Sequence, residues 1–193
     1  RRQRQMCIRD RHRLYSENLV VISVKNNLSW WYNQFFKRAF DLSVATVGTI
    51  AISPILLGIA IAIKASSPGP AFYAHRRIGK DGIYFNCYKF RSMVVDSDRR
   101  LQEYLRANPE AAKEWEETHK LKHDPRVTKI GAFLRKTSLD ELPQLFNVIR
   151  GQMSLVGPRP IVDEEVIKYD VFFSDYTMVR PGMTGLWQTS GRS

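Results

Sequence analysis

Two adjacent carboxylates in "SLDELPQL", Asp140 and Glu141, are the residues here whose types and spacing most directly suggest chemistry. Ser138 and Glu141 also stand in the S-x-x-E relation of a capping box, so one reading gives both acids to a helix start and its dipole. Pro143 complicates that reading. With Ser138 as the cap, the proline falls at the fifth helical position, where its missing donor costs a hydrogen bond. With Asp140 as the cap it falls in the first turn, where the cost is small. A carboxylate at a helix entrance, where backbone donors favour an arriving phosphate, can attack phosphorus and form an acyl phosphate. Glu141 offers a hard oxygen ligand for Mg2+, which commonly binds through one or two carboxylates together with substrate phosphates.

Cations are supplied in separate pieces: Lys89 and Arg91 in "YKFRSM", Arg135 in "FLRKTS" and Arg159 in "VGPRP". Arginine suits paired hydrogen bonds to phosphate oxygens, and lysine a point-charge contact. Singly, each also reads as a solvated surface charge. The prolines flanking Arg159 restrict its backbone and hold it in a rigid loop. Other site types are missing from the sequence. The four histidines form no H-E-x-x-H pair, and there is neither a Walker loop, nor G-x-G-x-x-G, nor a G-x-S-x-G elbow. Cys7 and Cys87 have no zinc or disulfide spacing, which points to a reducing, cytosolic setting.

These residues must be positioned by a chain of 193 residues with a net charge of +11, which calls for anionic partners. No RNP aromatics, zinc finger or basic region with heptads accompanies the charge, so nucleic acid is not expected. A membrane is expected instead. Residues 42–63 carry no charge, and as one helix they would be about 33 Å long, enough to span a bilayer. Ser53 and Pro54 interrupt the middle of this run, and Lys37, Arg38, Lys64, Arg76 and Arg77 flank it on both sides. Positive charge marks the cytoplasmic side, here at both ends. A re-entrant helix that bends at Ser53-Pro54 and returns satisfies both observations, and a proline-kinked spanning helix is the competing form. Carbonyls freed by the proline need a partner in lipid, and the Ser53 hydroxyl is the nearest candidate.

Around the anchor the chain divides into three. Residues 1–27 form a basic junction ending in the strand-like stretch 19–25, read as the tail of an upstream domain in a longer protein. Residues 28–64 hold an interfacial aromatic helix, "LSWWYNQFFKRAFD", followed by the membrane element. Residues 65–193 form the catalytic part. It opens with a β-hairpin turning at "GKDG" and passes into helices over "DSDRRLQEYLR" and "NPEAAKEWEETHKLK", the second capped by Asn108. A short helix and then a longer one follow, the latter carrying Leu139, Leu142, Leu145, Phe146 and Ile149 and ending at Gly151. The fold class is therefore α/β, mainly helical with a small β-hairpin, and monotopic on the membrane.

The pieces "KRAFDL", "SPGPAFY", "KFRSM", "DPRVTKIGAFLRKTSLDELPQLFNV", "GQMSLVGPRP" and "RPGMTGLWQTSGR", in this order, resemble the bacterial sugar transferases, the monotopic phosphoglycosyl transferases. The resemblance runs from about Lys37 to Ser193. It implies transfer of a sugar 1-phosphate, galactose being the guess, from a UDP-sugar to undecaprenyl phosphate. UMP is released, and the step initiates O-antigen or exopolysaccharide synthesis. It implies a ping-pong route with Mg2+, in which Asp140 is the nucleophile and Glu141 binds the metal. Lys89, Arg135 and Arg159 are the implied phosphate contacts, with Arg91 beside them in the same "KFR" motif. Ser53 and Pro54 match the break of the family's re-entrant helix. The setting is the cytoplasmic face of a bacterial inner membrane, with membrane lipids as partners and association into a homo-oligomer through regions outside this chain. The alternative from another class is a non-catalytic, membrane-anchored basic scaffold that binds anionic lipid.

Overall fold

The computed structural model describes residues 11–13, 20–22, 30–118, 121 and 123–185. They fall into two compact units, one up to Phe40 and one from Asp41 onward. In the first, β1 (Arg11–Arg13) pairs antiparallel with β2 (Val20–Ile22), which places a strand inside the stretch 19–25 where one was expected. Trp30, Trp31, Phe35 and Phe36 are exposed. Such a cluster suits the headgroup layer, where amphipathic rings are at home.

Helix α1 (Trp31–Ser66) starts in this unit and continues for 36 residues. The interfacial helix and the membrane element expected as separate segments are thus one helix, unbroken through Ser53 and Pro54. Local chemistry explains the continuity. Pro54 has no N–H to give the carbonyl four residues earlier, that of Ile50. The Ser53 hydroxyl donates to that same carbonyl at 2.8 Å, so the acceptor orphaned by the proline is satisfied by the residue before it.

In the second unit, β3 (Phe72–Ile78) and β4 (Tyr84–Phe90) form the expected hairpin, in register from Phe72↔Phe90 to Ile78↔Tyr84. Asp81, at φ 57°, and Gly82, at φ 73°, make the tight turn at its tip. Asn147 takes the place of a third strand on the free edge of β4. Its Oδ1 accepts from the Tyr88 amide at 3.0 Å, and its Nδ2 donates to the Asn86 carbonyl at 2.7 Å and to Gln152 Oε1 at 2.8 Å. A fully buried amide with this many partners is specific in orientation, since leaving any one unmade is costly.

One stripe of α1 packs on this unit. Ala45 joins Phe85, Cys87, Val148 and Met153 in one buried cluster, and Leu56 and Ile63 join Ala71, Phe90 and Leu134 in another. Asp41 sits in the same stripe, almost fully buried, accepting from Ser154 Oγ at 2.7 Å. Val47, Ile50, Ile55, Leu57 and Ile61 are exposed, and 11% of the most apolar 18-residue window is buried. An apolar face that long is not left in water by a soluble domain. The segment is long and apolar enough to cross a membrane by length and composition.

Helices α2 (Ser97–Ala107), α3 (Pro109–Thr118) and α4 (Lys129–Thr137) follow the hairpin. As expected, α3 starts at Pro109 with Asn108 just before it, the Asn108 carbonyl accepting from the Ala112 amide at 3.1 Å, and the Asn108 side chain donates back to the Tyr104 carbonyl, closing α2. The segment after α4 differs from expectation. A 3₁₀ turn (Leu139–Glu141) precedes a helix α5 of six residues (Gln144–Ile149), in place of one longer helix from Leu139. Pro143 fills the position just before α5, so neither Ser138 nor Asp140 caps that helix. Gly151, at φ 80°, terminates it as expected.

The chain then forms β5 (Ser154–Val156), α6 (Asp163–Tyr169), α7 (Phe173–Thr177) and β6 (Gly182–Thr184), with β5 and β6 parallel. Tyr176 pins the Arg159 loop to the hairpin: its hydroxyl donates to the Ile78 carbonyl at 2.9 Å and accepts from the Ile161 amide at 3.3 Å. Burial pushes this phenol up to about 12, which keeps it protonated and able to donate.

Candidate active site

Asp140 and Glu141 lie on the 3₁₀ turn, between two partly buried leucines. Leu139 and Leu142 pack against the cluster formed by Leu56 and Ile63 of α1 with Phe90 and Leu134, in which Ile52, Ile59 and Ala60 of α1 also take part. The acidic pair is therefore seated, through its flanking leucines, on the cluster that α1 shares with β4 and α4. Ser138 makes the sharp entry. Its φ of 58° is left-handed, and the backbone reverses there from the end of α4 into the turn. The residue carries no side-chain cap bond, so the capping-box reading does not describe this segment.

Lys89, on β4, donates to Glu141 Oε1 at 2.7 Å with both side chains roughly two-thirds shielded. Burial raises the Asp140 carboxyl above its ordinary value; Lys89 opposes this, Glu141 adds to it, and Arg135 and the residue's own amide oppose it. Lys89, Arg135, Asp140 and Glu141 thus share one electrostatic neighbourhood. Arg135, an exposed residue, is oriented by its Nε, which donates to Ser92 Oγ at 2.8 Å.

The other two arginines are placed elsewhere. Arg91 is 8% exposed, and its terminal nitrogens donate to the Pro68 carbonyl and to the carbonyl and hydroxyl of Ser67, each at 2.8 Å. This guanidinium holds the turn between α1 and β3. Arg159 is half exposed and faces Glu165 at 3.3 Å. Glu165 also meets Arg77 at 3.7 Å, and Arg77 donates to the Pro160 carbonyl at 3.3 Å and to His75 Nδ1 at 3.2 Å. For that last bond the imidazole must be neutral at Nδ1. Burial, then Arg77 and Lys89, lower the His75 pKa and keep it so.

Arg77, Glu165, Ser92 and Tyr176 were not singled out from the sequence. Arg77 stood there only as a flanking charge, and its pairing with the Arg159 loop depends on residues more than eighty positions away. Cys87 is buried, and burial pushes its thiol up to about 11, so it has no nucleophilic role at neutral pH.

The described residues contain no cluster of three or more His, Cys, Asp or Glu side chains able to hold a metal. The donors fit Mg2+ only where a substrate supplies further oxygens: Lys89 engages one oxygen of Glu141, and Asp140 is adjacent.

Removing the Lys89 charge tests this neighbourhood. Lys89 helps ionise Asp140, so Lys89→Met is expected to move the acidic limb of the pH–rate profile to higher pH. Turnover should also fall by about 10²-fold or more, as for the loss of a preorganised charge partner. An unchanged acidic limb would show that Lys89 does not act on the titrating group.

The family model described as bacterial sugar transferase matches residues 32–193. Among curated relatives, the UDP-galactose-lipid carrier transferase of Erwinia amylovora is 50% identical over 183 residues, covering 93% of this chain and 38% of its own length. The undecaprenyl-phosphate galactose phosphotransferase of Salmonella typhimurium (strain LT2) is 48% identical over 180 residues, with the same two coverages. The UDP-glucose:undecaprenyl-phosphate glucose-1-phosphate transferase of Escherichia coli (strain K12) is 42% identical over 163 residues, covering 82% of this chain and 32% of its own length. The chain thus spans less than half the length of these relatives. A family model that matches residues 32–193, together with relatives about half identical over 93% of this chain, shows that the chain belongs to the bacterial sugar transferase family.

Proposed function

We propose that this chain is the catalytic part of a phosphoglycosyl transferase that moves a sugar 1-phosphate from a UDP-sugar to undecaprenyl phosphate, with Asp140 as nucleophile. The observation that carries the reading is the seat of Asp140: a partly desolvated carboxylate among cations, flanked by Leu139 and Leu142, which pack against the cluster that α1 shares with β4 and α4. A water-soluble nucleotide sugar and a lipid-borne phosphate can both reach a nucleophile only at such a boundary.

In the first half-reaction, Asp140 Oδ bonds to the sugar-bearing phosphorus, the bond to the UMP oxygen breaks, and UMP departs with the electron pair. In the second, an oxygen of the lipid phosphate attacks the same phosphorus and releases the carboxylate, leaving a diphosphate-linked sugar. Lys89 and Arg135 oppose the charge that builds on the phosphoryl oxygens, and Arg159, on its pinned loop, is assigned a further phosphate contact. Arg91 is assigned to the scaffold, because it is buried and its terminal nitrogens bond Ser67 and Pro68. Mg2+, bound through Glu141 and substrate phosphates, would supply charge neutralisation on the diphosphate.

Galactose is the proposed sugar, from the two relatives named for it. The deciding experiment measures UMP release from UDP-galactose, UDP-glucose and UDP-N-acetylglucosamine, with undecaprenyl phosphate and magnesium present. Release is expected with UDP-galactose and its loss on chelation. No release with any donor would favour the non-catalytic scaffold that binds anionic lipid.

We further propose a monotopic seat on the cytoplasmic leaflet. Both arms of α1, Asp41–Ala45 before Pro54 and Leu56–Ile63 after it, pack on the same unit. A helix crossing the bilayer away from that unit would keep only one end in contact. Single cysteines at Gln34 and Lys64, in a Cys7→Ser background, are expected to react together with an impermeant thiol reagent in inverted vesicles and to be protected together in intact cells. Reaction of one alone from outside the cell would establish a crossing.

A further inference from the structure

A cavity at the tip of the β3–β4 hairpin plays no part in the proposed chemistry. It measures about 250 Å³, and its wall brings together cations from three distant segments, Lys80, Arg150 and Arg180, against a single carboxylate, Asp81. Each cation is held differently. Arg180 is fixed by its Nε, which donates to the Gly151 carbonyl at 2.7 Å, and its terminal nitrogens have no partner among the described residues. Arg150 lies over the Tyr88 ring, 5.2 Å from its centroid, with one terminal nitrogen donating to the Tyr88 hydroxyl at 2.8 Å. Lys80 is partly buried; its carbonyl accepts from the Ile83 amide at 3.1 Å in the hairpin turn, and its ammonium makes no hydrogen bond or ion pair with the described residues.

Three converging positive charges with one counter-charge repel one another, and an anion between them relieves the repulsion. Gly151, whose carbonyl holds Arg180, also lines the cavity. Asp140 is not part of this lining. Lys89, which pairs with its neighbour Glu141, lies five residues along β4 from Tyr84, about 17 Å away at strand spacing. The cavity is also close to the apolar helix, because Phe85 in its wall packs in one cluster with Ala45 of α1.

We propose that this cavity is a second anion site that takes a phosphate group, through Lys80, Arg150 and Arg180. Its place beside α1 favours a phosphate carried on a lipid headgroup over one free in solution. The site does not depend on Asp140 being a nucleophile, so the two readings fail separately.

The test is calorimetric titration of the whole chain in neutral detergent with two probes, dihexanoyl phosphatidic acid and inorganic phosphate. Phosphatidic acid is expected to bind, Lys80→Ala to weaken it about tenfold, the loss of one charge-assisted contact, and Asp140→Asn to leave it unchanged. Binding of phosphatidic acid alone assigns the site to lipid headgroups. Equal, Lys80-dependent binding of both probes keeps the phosphate site and assigns it to soluble phosphate. The proposal is overturned if neither probe binds, if Asp140→Asn removes binding, or if Lys80→Ala has no effect. It is equally overturned if Lys129→Ala, at an exposed lysine of α4 outside the cavity lining, weakens binding as much as Lys80→Ala.

Discussion

Asp140→Asn is expected to lower transfer by at least about 10⁴-fold and to abolish labelling of the protein by sugar phosphate from a radiolabelled donor. The amide keeps the shape of the side chain and its place between Leu139 and Leu142, but it has no anionic oxygen to bond to phosphorus. Label retained on the mutant would move the covalent step to another residue. A second readout separates chemistry from folding. The folded carboxyl titrates above its unfolded value, chiefly because it is buried, so between the two values the folded chain binds more protons than the unfolded one. Stability then falls as pH rises through that window, and ionised Asp140 is a cost at neutral pH. The Asn variant should therefore melt no lower than the parent at pH 7, and any gain should vanish below the ordinary carboxylate value. The parent's activity should fall on acidification at a higher pH than an exposed aspartate would give, because the ionised form is the proposed nucleophile. A variant that is inactive because it is unfolded would instead melt earlier.

Much of this site could be read from residue order. The hairpin was legible because alternating strand formers flank "GKDG", and turn chemistry acts over four residues. Lys89 was legible as a cation and Glu141 as an acid, although their contact at 2.7 Å joins residues 52 positions apart. The form of the acidic turn was not legible. The apolar spacing of Leu139, Leu142, Leu145 and Ile149 suits a continuous helix, and the left-handed Ser138 together with Pro143 breaks it into a 3₁₀ turn and a short helix. Helical period there reports which side chains turn inward, Leu139 and Leu142 to the Leu56–Ile63 cluster and Leu145 and Ile149 to the Ala45 cluster, and the tight turn keeps that facing while presenting Asp140 and Glu141 together.

Arg91 was misplaced for a related reason. It shares the "KFR" motif with Lys89, yet residues two apart on an extended strand share a face only while the strand lasts, and β4 ends at Phe90. Beyond that point the chain turns, and the guanidinium enters the Ser67–Pro68 turn. Buried polar locks of this kind, like Asp41 on Ser154 and Asn147 on β4, depend on partners that no local window contains. The Ser53 hydroxyl is the counterexample. Its partner, the Ile50 carbonyl, is three residues away, and the proline alone predicts which carbonyl needs it.

The second large effect belongs to Gly131. It lies in the first turn of α4, where the Thr128 hydroxyl accepts from its amide at 2.9 Å and caps the helix. A methyl group added here would fall within bonding range of the Ser92 carbonyl oxygen and 2.6 Å from its carbon, both backbone atoms that cannot rotate away. Helix α4 would have to retreat from the end of β4, and Ser92 is the residue that also orients Arg135. Gly131→Ala is therefore expected to destabilise the fold by about 1–3 kcal/mol, the usual cost of overpacking, despite alanine's better helix propensity. Arg135 would be displaced with the helix, so turnover should fall further than the folded fraction accounts for. Gly58→Ala is the matched control: it too lies inside a helix, nothing approaches within 4 Å, and propensity alone should make it neutral or slightly stabilising. Thermal melts and single-turnover rates of the two variants distinguish the outcomes. If Gly131→Ala melts with the parent and keeps its rate, the close approach of α4 to Ser92 is not what positions Arg135.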